Sequence, residues 1–445
     1  MLKVNNNNFK ASVCTLGCRV NQYESDCVIS EFINLGFEIK DFGDVCDVYV
    51  INTCTVTARS DKKSKQMIRR AKKLNKDAVI AVCGCFSQNN PGVFKSDLQV
   101  DIILGTSEKI NIPKLSLEIL NNKTKNKSEY NLVNPISEYK IYENINAYQS
   151  EKTRAYIKIQ DGCEANCAYC VIPQVRGIVK SRGYSDIYEE VKRFNDMNYH
   201  EIILTGIEIS SYRDINSNCK LIDVLEKLNG ESDLKNITSI RLSSVEPSLI
   251  NKDFIGRFSK LDKIAGHFHL SLQSGSTSIL NLMRRKYNID TVIKNISCAK
   301  EKIKDLNITA DIIVGFPGET DEDFDMTVNV LKILNIYHAH IFTYSKRPNT
   351  DAAGFDNQIE ESVKNSRSRK ISEICANLKE EMHKNNLGKE FLVIVEDLSH
   401  DGFYTAKTKN FLDVKIKSHA DFGTIQKITV TDYDKDFMYG EINKN

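Results

Sequence analysis

No apolar run in this sequence approaches the roughly 18 residues that suggest a transmembrane helix. Runs such as Ala78 to Val82 and Phe391 to Val395 fall far short of that length. The opening MLKVNNNNFK is polar, which speaks against a secretory signal peptide at this end. Neither sign of charge dominates, since 61 basic and 59 acidic side chains leave a net +2. Partners must therefore be read from local patches rather than from the total. These absences predict a soluble, cytoplasmic protein without a membrane partner. What is present fits that reading: 41% hydrophobic and 27% charged residues describe an ordinary globular chain. At about 150 residues per domain, 445 residues suggest roughly three domains. The 13 cysteines gather in small motifs, so metal or redox use is expected rather than a disulfide framework.

The fold class expected is α/β multidomain. Up to about Ser107, apolar runs (Ser12 to Leu16, Asp47 to Ile51, Ala78 to Val82) alternate with helical stretches, Glu24 to Leu35 and Asp61 to Leu74. That alternation predicts an amino-terminal parallel sheet with helices on its faces, over residues 1–120. Residues 121–150 are rich in Asn, Lys, Ser and Tyr, contain Pro135, and read as a linker. Over 151–384, candidate strands at Ala155 to Ile159, Glu201 to Thr205, Ser239 to Ser243, Phe268 to Leu272, Thr309 to Val314 and Ala339 to Thr343 are separated by helical stretches. Six β/α units predict a partial (β/α)6 barrel with its chemistry at the carboxyl ends of the strands. A basic helical passage, Arg367 to Lys384, leads to short alternating strands from Phe391 onward, so residues 385–445 predict a small antiparallel β-barrel.

DGCEANCAYC places Cys163, Cys167 and Cys170 at CxxxCxxC spacing directly after the first barrel strand. Three thiolates can hold three irons of a [4Fe–4S] cube and leave the fourth iron open to an outside ligand. A structural zinc site wants four ligands, and neither a histidine nor a fourth cysteine lies nearby in sequence.

This triplet resembles the hallmark of the radical S-adenosylmethionine (SAM) superfamily. The resemblance implies a [4Fe–4S] cluster whose open iron is chelated by S-adenosyl-L-methionine, and reductive cleavage of that cofactor to a 5′-deoxyadenosyl radical. A reductant protein such as flavodoxin or ferredoxin is implied with it. Tyr169 resembles the aromatic residue beside the cofactor adenine in relatives, with simple packing of the ring as the plainer alternative. LTGI (204–207), RLSSVEP (241–247), LSLQSGS (270–276) and IVGFPGET (313–320) fall at successive strand ends and look like cofactor-contact motifs. Their small and hydroxyl residues allow close backbone approach and hydrogen bonding. Gly206, Ser243, Gln273 and Gly315 are the contacts taken from them.

Three further cysteines stand past the ends of the amino-terminal strands: Cys18 in TLGCRVNQYES, Cys54 in VINTCTVT and Cys85 in VCGCFSQ. Carboxyl ends of adjacent parallel strands form the ligand crevice of an open α/β sheet, so the three can converge on a second cluster. Cys14 and Cys83 remain alternatives, either as buried small residues or as ligands in their place. Cys27, Cys46, Cys219, Cys298 and Cys375 occur singly and read as structural. These motifs are similar to the amino-terminal domain of the methylthiotransferases, and the resemblance spans nearly the whole chain. It implies a second [4Fe–4S] cluster that delivers a methylthio group, while the first generates the radical and S-adenosylmethionine also donates the methyl.

Relatives of this kind modify an isopentenylated or a threonylcarbamoylated adenosine in tRNA, or an aspartate of a ribosomal protein. TLGCRVNQYES, DVYVINTCTVT, MRRKY (283–287) and YSKRPNTDAA (344–353) are most similar to the branch acting on threonylcarbamoyladenosine beside the anticodon, which implies the tRNA anticodon arm as partner. Asn349 departs from that pattern, standing where relatives usually have glycine. Arg59, Lys62, Lys63, Lys65, Arg69, Arg70, Lys72, Lys73 and Lys76 form one basic group and Arg284, Arg285 and Lys286 another, both suited to phosphates unless they are solvated faces. The tail resembles a TRAM domain. From Leu387 it carries 8 Lys and no Arg against 10 acidic residues, and Lys407, Lys409, Lys415 and Lys417 form its plausible RNA-facing stripe. A non-catalytic iron–sulfur or zinc RNA-binding module is the alternative from outside the enzymes.

Overall fold

The computed structural model describes residues 9–122, 130–148 and 153–443. The polar opening up to residue 8, and 123–129 and 149–150 of the expected linker, lie outside the described residues. Among the described residues, no helix is long and apolar enough to cross a membrane.

The amino-terminal sheet holds β1 (Lys10–Thr15), β2 (Glu38–Ile39), β3 (Val48–Thr53), β4 (Val79–Gly84), β5 (Ile102–Ile103) and β6 (Tyr130–Asn131). Its order is β2-β1-β3-β4-β5-β6, and every pairing is parallel. Every residue of β3 and β4 is buried, as expected of strands covered on both faces. The helix α1 (Arg19–Asn34) lies on one face; α2 (Ala58–Leu74) lies on the other and buries Met67, Ile68 and Ala71 against Tyr49, Ile51 and Ile80. Thr57 caps α2 by accepting from the Ser60 N–H. One feature differs from the expectation: Tyr130–Asn131, inside the segment read as a linker, pairs with β5 as the sheet's last strand.

The central unit contains β7 (Ala155–Lys158), a two-residue hairpin of β8 (Gln160–Asp161) with β9 (Lys180–Ser181), β10 (Glu201–Thr205), β11 (Ser239–Leu242), β12 (Ser244–Val245), β13 (His267–Gln273), β14 (Asn307–Val314) and β15 (His338–Thr343). Two parallel sheets, β11-β10-β7 and β12-β13-β14-β15, meet where the chain passes through Ser243. Alternation on β13 sets the layers. Phe268, Leu270 and Leu272 join the core, with Phe268 against Phe254 and Phe258 of a covering helix, while His267 and His269 point to the other face and bond Thr309.

The tail is a closed five-stranded barrel of β16 (Glu390–Leu398), β17 (Tyr404–Thr408), β18 (Asp413–Ile416), β19 (Ile425–Tyr433) and β20 (Met438–Ile442), in order β16-β17-β18-β20-β19. Its pairings are antiparallel except β18 with β20. It docks under the central unit: Phe411 stacks on His267 with centroids 4.3 Å apart, and Arg241 donates to the Lys409 carbonyl.

Candidate active site

The hairpin β8–β9 carries the first cysteine group. Gly162 has φ +73, and a Cβ there would fall 1.8 Å from the Ile178 carbonyl oxygen, so only glycine lets the chain turn into Cys163. Each of the three sulfurs accepts one hydrogen bond. The Ala165 N–H reaches Cys163 Sγ at 3.5 Å, Arg285 Nη1 reaches Cys167 Sγ at 3.4 Å, and the Ile172 N–H reaches Cys170 Sγ at 3.4 Å. Burial, with Cys167 and Cys163 beside it, pushes the Cys170 thiol up to about 12. The set of three sulfurs with donors already aimed at them fits a [4Fe–4S] cluster with one open iron.

Cys18, Cys54 and Cys85 stand beyond the carboxyl ends of β1, β3 and β4, and the fold brings them together. Burial, followed by Cys85 and Cys18, pushes the Cys54 thiol up to about 12. Gly17 (φ +99) makes the cradle, because a Cβ there would lie 2.9 Å from Cys54 Sγ. Cys18 is exposed, whereas Cys54 and Cys85 are buried. The alternatives pack elsewhere: Cys83 is in the apolar layer with Val79 and Ala81, and Cys14 lies against the layer containing Tyr49 and Ile51. Cys27, Cys46, Cys219 and Cys375 are buried and Cys298 partly so.

A buried charge network joins the two groups, and sequence reasoning missed it. Glu24 of α1 accepts from Arg176 Nη1 at 2.6 Å, from Lys158 at 2.7 Å and from Lys109. Asp161, two residues before Cys163, accepts from Lys158 at 2.6 Å, and Arg176 also donates to Asn21 at 2.7 Å. Burial alone would raise the Glu24 carboxyl, but Arg176, Lys109 and Lys158 hold it well below its usual range. A second tie comes from Arg347, whose Nη2 donates to Thr55 Oγ1 and Asp61 Oδ2, both at 2.7 Å. The neighbouring Asn349 takes φ +63, the left-handed conformation that glycine adopts freely and asparagine tolerates.

Between the two groups lies a cavity of about 200 Å³, lined by Val56, Thr57, Tyr169, Gln273, Asp311 and Tyr344 among others. Val56 and Thr57 follow Cys54, and Tyr169 lies between Cys167 and Cys170. Two expected cofactor contacts, Tyr169 and Gln273, therefore face this space. Among the described residues the buried Ser243 Oγ and the Tyr344 hydroxyl have no hydrogen-bond partner, and Tyr344 lines the cavity. Gly206 packs tightly on Gln160 and Ile209, where a Cβ would come within 2.8 Å of either. Gly315 faces Lys364, whose Cγ would lie 2.3 Å from a Cβ placed there, and its N–H donates to Glu319.

The basic groups divide. On α2, Arg59, Lys62, Lys63, Arg69, Arg70 and Lys73 are exposed, as is Lys76 just beyond it. Arg285, expected on a phosphate-binding surface, is instead buried and serves Cys167, Ser271 and Tyr287; Arg284 is exposed but pairs with Asp351 at 2.5 Å. The tail stripe is likewise corrected: Lys407 pairs with Asp413, Lys415 with Asp401, and Lys409 donates to the Asp262 carbonyl, leaving Lys417 exposed.

A parallel partial barrel with this cysteine triplet on its first strand's loop defines the radical SAM class, and residues 157–331 match the Radical SAM superfamily model. Residues 10–105 match a second model, Uncharacterized protein family UPF0004. The solved methyltransferase TsrM from Kitasatospora setae shares the fold, with TM-score 0.57 at 13% identity over 78% of this chain and 77% of that one. Among curated proteins, the chain is 35% identical over 423 residues to the threonylcarbamoyladenosine tRNA methylthiotransferase MtaB of Bacillus subtilis, covering 94% of this chain and 92% of that one. It is 35% identical to the protein of the same name from Aquifex aeolicus (95% and 100% covered), and 32% identical to a tRNA-2-methylthio-N(6)-dimethylallyladenosine synthase of Acetivibrio thermocellus (91% and 85%). The chain belongs to the radical SAM methylthiotransferases.

Proposed function

We propose that the enzyme transfers a methylthio group to carbon 2 of N6-threonylcarbamoyladenosine beside the anticodon of tRNA. The observation that supports this reading is the cavity bounded by Val56 and Thr57 on one side and Tyr169 on the other, which leaves room for a substrate carbon between the two cysteine groups. Cys163, Cys167 and Cys170 would hold one [4Fe–4S] cluster and Cys18, Cys54 and Cys85 another. When bound, the first with S-adenosylmethionine supplies a carbon-centred radical and the second supplies sulfur. The chain's own residues orient and exclude: Arg285 fixes Cys167, Arg176 and Glu24 hold the two groups at one separation, and Tyr344 and Gln273 line the space for the ligands. The exposed basic face of α2 begins only a few residues after Cys54 and suits the phosphates flanking an inserted base. A flavodoxin or ferredoxin is the reductant in this reading, and the cytoplasm, where tRNA is found, is the compartment.

Mass spectrometry of tRNA nucleosides tests the substrate. A strain lacking the gene should accumulate N6-threonylcarbamoyladenosine without its 2-methylthio form, and an unchanged 2-methylthio signal refutes the assignment. Reconstituted without oxygen, the full chain should bind about eight irons, and Cys54→Ala about four. Cys54→Ala should still release 5′-deoxyadenosine from S-adenosylmethionine, whereas Cys167→Ala should not.

A further inference from the structure

One residue of the cavity lining, Asp311, belongs to a charged cluster that the reaction as described does not use; its partners His269 and His340 lie outside the lining itself. His269 Nε2 lies 3.0 Å and His340 Nδ1 3.3 Å from the same oxygen, Asp311 Oδ1. Thr309 Oγ1, 2.7 Å from His269 Nδ1, fixes that ring from behind. Among the described residues Asp311 Oδ2 has no hydrogen-bond partner, and Asp311 lines the cavity together with Phe342. His340 stands two residues before Phe342 on the same face of β15, with its side chain 53% exposed and its Nδ1 turned to Asp311, so that Nε2 is directed away from the pair.

Asp311 keeps a 19% exposed side chain, and covering the solvated part of a carboxylate with an apolar group is expensive. An isopentenyl chain has no polar atom, and seating one here would strip solvent from Asp311 without compensation. A threonylcarbamoyl group brings urea N–H donors, a hydroxyl and a carboxylate. We propose that Asp311 and His340 form the subsite for a polar, acid-bearing N6 substituent, with Asp311 Oδ2 accepting its N–H or O–H and His340, as the imidazolium, donating from Nε2 to its oxygens. This rests on the substrate reading above and names the residues that impose it. A site built to hydrogen-bond a substrate rejects an analogue lacking those groups by about 10⁴, whereas an apolar pocket discriminates by only about 10–200-fold.

The test is a competition in one tube. Anticodon-arm RNAs carrying threonylcarbamoyl or isopentenyl on the same adenosine are offered together to the reconstituted full chain, and the two 2-methylthio products are counted by mass spectrometry. The wild type should favour the threonylcarbamoyl RNA by about 100-fold or more. His340→Leu and, independently, Asp311→Leu should each lower that ratio at least tenfold, and His340→Gln, which keeps a polar end, should lower it less. A ratio that stays at the wild-type value in both leucine variants overturns the subsite while leaving the substrate assignment standing. A wild type that prefers the isopentenyl RNA, or that modifies neither, overturns both.

Discussion

Replacing Glu24 by glutamine keeps its shape and removes its charge from the place where α1 meets the central barrel. In the native chain three cations, Lys109, Lys158 and Arg176, face two carboxylates, Glu24 and Asp161, all with side chains at most 12% exposed. The substitution leaves the three cations against Asp161 alone. Breaking a buried pair by removing one partner costs about 3–5 kcal/mol. With three partners losing the same carboxylate, about 4 kcal/mol is expected, close to a thousandfold in the opening equilibrium at 1.36 kcal/mol per decade. Urea unfolding of the variant, followed by circular dichroism and by proteolysis at the junction, reads this directly. Adding Arg176→Met restores the native excess of one positive charge, so the double variant should be less destabilised than the sum of the singles by at least about 1 kcal/mol. The sign with pH is fixed as well. Because the folded carboxyl lies below its unfolded value, its contribution is complete above about pH 4.3 and lost as the pH falls toward the folded value, so the variant should show a shallower acid transition. A Glu24→Gln protein within 1 kcal/mol of wild type, or strict additivity with Arg176→Met, would refute the reasoning.

Glu201 offers a second acid-linked contribution. Burial would raise its carboxyl, but Arg241 and Arg154 hold it at about 2, which against the usual ~4.3 corresponds to about 3 kcal/mol, present above that value and lost on acidification; Glu201→Gln should flatten the acid unfolding curve measured between pH 5 and pH 2. Arg285→Leu removes the only side-chain donor to Cys167 Sγ among the described residues, so the midpoint of the cluster held there, followed by paramagnetic resonance in a redox titration, should become more negative; an unmoved midpoint would show that the guanidinium does not tune it. Gly84 has φ +102, and a Cβ would fall 2.3 Å from the Thr53 carbonyl oxygen. Gly84→Ala should therefore cost more than about 1 kcal/mol in thermal unfolding and displace Cys85, while Gly230→Ala, with nothing within 4 Å, should not.

The long parallel strands were legible because burial on both faces makes them continuous apolar runs, and the cysteine positions were legible because each follows such a run by a few residues. Two-residue strands such as Ile102–Ile103 and Tyr130–Asn131 carry no periodicity, so the sheet's far edge was not. Charge misled for a related reason. MRRKY looks like a phosphate-binding surface, yet only the fold shows that Arg285 turns inward to sulfur while Arg284 turns outward to Asp351. The tail lysines Lys407, Lys409 and Lys415 read as a stripe from their sequence spacing, but they fall on β17, the turn after it and β18, and meet Asp413, the Asp262 carbonyl and Asp401. The cavity was illegible in the same sense: its walls come from the segment after β3 and from β13, β14 and β15, which no local pattern links.

Arg347 reaches back across almost three hundred positions to grip Thr55 and Asp61 beside Cys54. During synthesis, the amino-terminal cysteines emerge long before the residue that clamps their loop. A half-made polypeptide thus has thiols but no finished gap between them and the central loop. A chain stopped before Arg347 would carry both cysteine groups yet lack the side chain that ties the Cys54 loop to the central unit.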